Sequence, residues 1–301
     1  MPWMTHIMNP PTSKTTGGEL GATSALVLLW SGPELYASRE AQEYWRKLDL
    51  SEGEEIHKRC NNVWGNYGEV IKNRKWKILQ TSKQILAGED ITQVVIVAAG
   101  FSPMGIELAS LFPQSCVFEV DKSNMEAKSR LCASVRNLSC LSADITDREQ
   151  CRNTLLAHGW NPTRPTLLIF EGISYYITAA QAADVWGLFS SSGSLCLFEY
   201  LVPQEQIAAH RRSIPDEIFE TILNYCGIGT PITRWSRELL GQKRGVRVLQ
   251  CHTLSDIERE RTGQASTFSR SEDGWIEVAL LAMDQDSQPS SGASLATKET
   301  K

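Results

Sequence analysis

Five short apolar runs alternate with stretches of helical periodicity, and that alternation restricts the fold more than any other feature of the chain. The runs are QVVIVA at 93–98, CVFEV at 116–120, LSCLSAD at 138–144, TLLIF at 166–170 and SLCLFEYL at 194–201. Between them lie MGIELASLF (104–112), residues 123–134, DREQCRNTLLAH (147–158) and residues 178–190, each of helical length. Strands that are apolar throughout and separated by helices predict a parallel sheet covered on both faces. A further run, GWIEVALLAM at 274–283, predicts one more strand.

The flanks are different. Residues 24–87 carry apolar positions spaced by three and four, which predicts a set of helices ahead of the first strand. Residues 1–20 are rich in Pro, Thr and Gly and predict a flexible N-terminus without an apolar leader; 284–301 are polar and predict a disordered tail. The domain is thus expected over 21–283, with N-terminal helices at 21–90. The 60 or so residues between the fifth and last strands read as mixed helix. They predict a helical cap over 203–265.

Composition excludes some functions. The net charge of −5 gives no basic surface for nucleic acid. The short basic run KNRKWK at 72–77 reads as a solvated helix face. Eight scattered cysteines with no CxxC pair fit free thiols in a reducing cytoplasm. No apolar run is long enough to span a membrane.

Acidic residues fall at or beside the strand ends: Asp121, Asp144, Glu171 and Glu199. Ligands of open parallel sheets bind at those carboxyl ends. The turn after the first strand, VAAGFSPMG (97–105), lacks GxGxxG, and no GxxxxGK[ST] occurs, so no phosphate cradle is formed. Carboxylates without a phosphate cradle suit a cofactor with ribose hydroxyls, an adenine amino group and an ammonium group. S-adenosylmethionine has all three and no phosphate. Each residue also has a plainer reading: Asp144 and Asp147 as helix N-caps, Arg74 as a surface helix residue, Tyr175 or Tyr176 as core.

The motifs VAAGFSPMG, FEVD (118–121), SADITD (142–147) and RPTLLIFEGISYYI (164–177) together resemble the leucine carboxyl methyltransferase-like branch of the S-adenosylmethionine-dependent methyltransferases. The resemblance covers roughly 25–283. It implies an α/β Rossmann-like class I fold, a mostly parallel seven-stranded sheet with helices on both faces. It implies that Ala98 and Gly100 form the turn and that Asp121 holds the ribose. Asp144, with the backbone of Ile145, would take the adenine, and Glu171 the methionine ammonium. Arg74 would pair with the methionine carboxylate, a role that a planar guanidinium suits. The sequence departs from the family where its first glycine is Ala98 and its D-T-R is Ser102-Pro103-Met104. A methyl group at 98 fits if φ there is negative.

For the acceptor, Tyr175, Tyr176 and Tyr200 are candidate pocket residues, with Arg211 or Arg212 as anchors for an acidic group. His57, His158, His210 and His252 are candidate bases, none within a motif. The expected activity is methyl transfer to a small-molecule oxygen, carboxylate or hydroxyl, in specialised metabolism. The alternatives are methylation of a protein C-terminus, N- or S-methylation, a non-catalytic cofactor-binding homologue and, without GxGxxG, a dehydrogenase.

Overall fold

A computed structural model describes residues 20–283 except 89, 192, 228, 230 and 231; the segments read as a flexible N-terminus (1–19 of it) and a disordered tail lie outside the described residues. Four helices come first: α1 (Ala22–Ser31), α2 (Arg39–Trp45), α3 (Glu54–Val63) and α4 (Tyr67–Gly88). The alternating part follows as β1 (Gln93–Val97), α5 (Met104–Leu111), β2 (Cys116–Asp121), α6 (Met125–Leu131) and β3 (Leu138–Ser142). It continues with α7 (Arg148–Ala157), β4 (Thr166–Phe170), α8 (Ala179–Leu188) and β5 (Ser194–Leu201). The last part holds α9 (Ser213–Cys226), α10 (Arg237–Gly241), β6 (Val246–Thr253), α11 (Leu254–Thr262) and β7 (Ile276–Met283).

The strands form one sheet in the order β3-β2-β1-β4-β5-β7-β6. β1 to β5 run parallel, and β7 lies antiparallel between β5 and β6. This is the seven-stranded class I methyltransferase sheet implied by the resemblance. Burial explains the unbroken apolar runs. On β1, Val95 and Val97 pack into the core on one face while Val94 and Ile96 pack into the core on the other. The interior of β1 is therefore apolar at successive positions rather than at alternate ones.

Two readings need correction. β6, VRVLQCHT, lies inside the segment read as a helical cap. Its outward residues alternate with half-buried ones, as suits an edge strand, and its paired partner β7 supplies the apolar side. The KNRKWK run is not a solvated face either. Asn73, Arg74, Lys75 and Lys77 are all buried, because α4 lies between the sheet and the other N-terminal helices.

Topology fixes where a ligand binds. The chain leaves β1 toward β2 and β3 and returns to β4 on the other side, so the connections diverge between β1 and β4. A crevice opens at the carboxyl ends there. The residues after β1, β2, β3 and β4 all reach it, and α1, α4 and α9 close it from above.

Candidate active site

The crevice is a cavity of about 620 Å³, within the usual 300–1,000 Å³ range of small-molecule sites, roughly. Its floor is the β1 turn. Gly100 has φ +48°, and its N–H donates to Asp121 Oδ2 at 2.9 Å. A Cβ at 100 would meet Ser24 Oγ of α1 at 2.8 Å, so a side chain there is both strained by conformation and crowded. Ala98 has φ +51°, against the expectation of a negative value. The turn stays in this left-handed region, at a cost of about 1–2 kcal/mol for a residue with a Cβ, because other groups pin it. Lys128 Nζ donates to Gly100 O at 2.9 Å and Ser102 O at 2.7 Å. Lys128 in turn pairs with Glu119 of β2 at 2.7 Å, and both side chains are fully buried. An ion pair so enclosed acts as a clamp between α6, β2 and the turn.

The second and third strand ends carry the polar wall. Asp121 Oδ1 accepts from Ser123 N at 3.2 Å and from its hydroxyl, which holds the carboxylate toward the cavity. Asp144 Oδ1 accepts from Thr146 N at 2.8 Å and Thr146 Oγ1 at 2.7 Å. Those two bonds hold its carboxyl below the usual carboxylate range. Asp144 is therefore no helix cap; Asp147 caps α7 through Gln150 N. Ile145 lies beside Asp144 on the cavity wall.

A balanced cluster sits after β4. Lys75 Nζ pairs with Glu171 Oε1 at 2.6 Å, and Arg74 Nη2 lies 3.9 Å from the same oxygen. Arg74 Nη1 donates to Glu199 Oε1 at 2.9 Å and to Tyr175 Oη at 2.8 Å. Gly172, at φ +73°, turns its N–H onto Glu199 Oε2 at 2.6 Å, so the glycine after Glu171 has a conformational cause. Burial works against the charge on Arg74, yet Glu199, Tyr175 and Glu171 around it hold it firmly protonated. Burial lowers Lys75 against the pull of Glu171, and raises Glu199 against that of Arg74. Two cations and two anions leave the cluster neutral. One buried donor, Arg74 Nε, has no partner.

The predicted residues separate into two groups. Arg74, Ala98, Gly100, Asp121, Asp144, Ile145, Glu171, Tyr175 and Tyr176 all line the cavity. Tyr200, Arg211 and Arg212 do not. The Tyr200 hydroxyl points across the sheet and donates to Glu277 of β7, in contact with Cys251. Arg211 holds Asp273 O and Thr267 O while lying over the rings of Trp64 and Phe268. Arg212 donates to Ile207 O. Nor do the four candidate histidines line the cavity. His158 ends α7 on Thr154 O, and His57 packs at a tilt against Trp30. Lys75, Ser102, Lys128 and Trp30 escaped the reading; Lys75 was hidden in a run whose only visible signal was its charge.

The profile of the leucine carboxyl methyltransferase family matches residues 35–188. The chain belongs to that family. It is an S-adenosylmethionine-dependent methyltransferase. No curated protein sequence matches it. Among solved structures, a Thermobifida fusca protein provisionally called a methyltransferase superposes with TM-score 0.63 at 16% identity, covering 85% of this chain and 99% of that one. A DUF574-family protein from Streptomyces avermitilis superposes with TM-score 0.59 at 14% identity, covering 88% and 98%. Both share the fold. Among the described residues no helix is long and apolar enough to cross a membrane.

The donor set fits the cofactor of this family. The neutral Arg74–Lys75–Glu171–Glu199 cluster suits a zwitterionic amino-acid end, with Arg74 and Glu171 both on the cavity wall.

Proposed function

We propose that this methyltransferase acts on an oxygen of a small-molecule acceptor. The observation that carries the reading is size: the strand-end polar wall and the helical walls of α1, α4 and α9 line one cavity of about 620 Å³. An acceptor that fits inside it is a small molecule. In this reading Asp121 binds the ribose hydroxyls, and Asp144 with the Ile145 N–H binds the adenine edge. Glu171 takes the ammonium group and Arg74 the carboxylate; Ala98 and Gly100 form the turn beneath. When bound, the sulfonium supplies an electrophilic methyl group. The protein's share is alignment and exclusion of water, effects that can supply about 7–11 kcal/mol in favourable cases.

The residues for that alignment are Tyr175 and Tyr176, which stand between the methionine cluster and α9. Tyr175 is fixed by Arg74 and makes an edge contact with Tyr176 at 4.8 Å. A carboxylate acceptor needs no base, whereas a hydroxyl gains about 10²–10⁴-fold from one. Eight free thiols among the described residues support a reducing, cytoplasmic setting. The eroded first motif supports a divergent role in specialised metabolism.

The family's own name favours a second reading, esterification of a protein's C-terminal leucine carboxylate. Turnover separates the two. Full-length protein with labelled S-adenosylmethionine is assayed against small alcohols, phenols and acids and against peptides ending in leucine. Label in a small acceptor supports the first reading; label only in peptide overturns it.

A further inference from the structure

Two thiols meet behind the β1 turn. Cys132 ends α6 and Cys140 lies in β3, and their Sγ atoms are 3.7 Å apart. Neither belongs to the cavity wall. β3 is an edge of the sheet and Cys140 is half-buried, whereas Cys132 is 5% exposed. The Cys132 thiol donates to Lys128 O at 3.1 Å, and the Cys140 thiol donates to Glu119 Oε2 at 3.6 Å. Glu119 is the residue that faces Cys140 across β2 and β3. The hydrogen bond with Cys140 pulls the Cys132 thiol below the ordinary cysteine value, against burial. A thiol lowered in this way supplies more thiolate at neutral pH.

Both sulfurs are connected to the floor of the cavity. Lys128 stands one turn before Cys132 on α6, and the Cys132 N–H donates to its carbonyl at 3.1 Å. The Lys128 ammonium holds Gly100 O, Ser102 O and Glu119 Oε2. That clamp fixes a turn whose Ala98 and Gly100 both have positive φ. Drawing the sulfurs from 3.7 Å to the ~2.05 Å of a disulfide moves the end of α6 toward β3. It also removes the S–H that Cys140 offers to Glu119. Both changes act on the clamp, one through Lys128 and the other through Glu119.

We propose that Cys132 and Cys140 form a peroxide-reactive dithiol whose oxidation to a disulfide loosens the β1 turn and weakens methyl-donor binding. The Cys132 thiolate attacks one oxygen of hydrogen peroxide and the O–O bond breaks. Cys132 becomes a sulfenic acid, and the departing hydroxide takes up the displaced thiol proton as water. The Cys140 sulfur then attacks the sulfenic sulfur, the S–O bond breaks, and the hydroxyl leaves with the Cys140 proton as a second water. The two thiols lose two electrons and the peroxide gains them. A dithiol reductant reverses the bond, which suits a compartment where thiols are otherwise kept reduced. The dithiol stands on its own geometry; only its effect on the donor rests on the site residues proposed above.

Arg136 lies between the two cysteines, so trypsin separates them into peptides 131–136 and 137–148. The full-length chain is treated with hydrogen peroxide, or with peroxide and then dithiothreitol, and mapped by mass spectrometry without reduction. The two peptides are expected joined after peroxide, two hydrogens lighter than their sum, and separate again after dithiothreitol. By calorimetry the oxidised chain is expected to bind S-adenosylhomocysteine about tenfold more weakly than the reduced chain. Hydrogen exchange over 98–104 is expected to quicken in the same sample. Cys140→Ser cannot form the bond, and its affinity is expected to be the same before and after peroxide. Peptides that stay apart, or that join other cysteines instead, would overturn the dithiol. Joined peptides with unchanged exchange and unchanged affinity would overturn its link to the turn, as would an equal loss of affinity in Cys140→Ser. If the reduced wild type binds no S-adenosylhomocysteine, the donor reading falls on its own, while the peptide map and hydrogen exchange still decide the proposal.

Discussion

The two ends of the cavity are built by opposite means. The end proposed for the nucleoside and methionine is made of strand termini, turns and charged groups: Gly100 after β1, Asp121 closing β2, Asp144 after β3, Glu171 after β4. Its positions follow from the sheet's topology, and its side chains are pinned by backbone amides and ion pairs. The end proposed for the acceptor is made of aromatic and aliphatic side chains from α1, α4, α9 and the segment after β4, brought together only by tertiary packing. The first end is fixed by backbone geometry and the second by the shapes of side chains. A family can therefore hold one methyl donor constant while its acceptors vary, because changing a ring on α9 leaves the strand ends untouched.

Glu199 sits at the seam between the two ends, so its loss should break both. Glu199→Ala leaves Arg74 buried without its main counter-ion and Gly172 N without an acceptor. Removing one partner of a buried pair typically costs about 3–5 kcal/mol. Urea unfolding is expected to show a loss of that order, and a loss below about 1 kcal/mol would mean that Arg74 finds another partner.

Gly100→Ala should damage the strand-end side alone. The new methyl group meets Ser24 Oγ at 2.8 Å in a backbone with φ +48°. The expected result, read by calorimetry, is S-adenosylhomocysteine affinity lowered about tenfold, equivalent to about 1.4 kcal/mol. An unchanged affinity would show that the turn accommodates the methyl group by moving Ser24.

A carboxylate outside both ends offers a control. Glu107 of α5 is fully buried and accepts from Ala37 N at 3.0 Å, Ser38 N at 2.8 Å and Lys83 Nζ at 2.9 Å, fastening α2 to α5. Burial pushes its pKa up, but Lys83 and these amides prevail and hold it below the ordinary glutamate value. A group lowered on folding adds stability that is complete above its unfolded pKa, about 4.3, and disappears as pH falls through the folded value. Urea midpoints measured from pH 6 down to pH 3, on the order of the carboxylate range, should fall more steeply in wild type than in Glu107→Gln. Equal slopes would contradict the assignment.

The smallest effect is expected at Ala98. Glycine there removes the cost of φ +51° but enlarges the unfolded ensemble. The balance should stabilise the protein by about 0.5 kcal/mol. A thermal melt that moves downward would show that the Ala98 methyl contributes packing that outweighs the strain.

The same contrast explains what could be read from the sequence. β1 to β5 and the carboxylates at their ends were legible, because unbroken apolar runs and the acids beside them are local signals. β6 was not, since VRVLQCHT mixes polar and apolar residues and becomes a strand only by pairing with β7. Lys75 and Arg74 looked like part of a solvated basic run, and only the packing of α4 against the sheet reveals them as buried ion-pair partners. Tyr200 and Arg212 were placed by proximity in sequence to the fifth strand. Yet alternate residues of a strand face opposite ways, and the Tyr200 hydroxyl ends at Glu277. Trp30 and Phe219 belong to helices nearly 190 residues apart in sequence, and nothing local announces that they share a wall.

The central claim is that the strand-end carboxylates bind the methyl donor. Calorimetry of S-adenosylhomocysteine on wild type, Asp121→Ala and Glu171→Ala tests it most directly. The account predicts micromolar affinity for the wild type and at least about tenfold weaker binding, about 1.4 kcal/mol, in each variant. Wild-type binding that survives both substitutions unchanged, or no binding to the wild type at all, would contradict it.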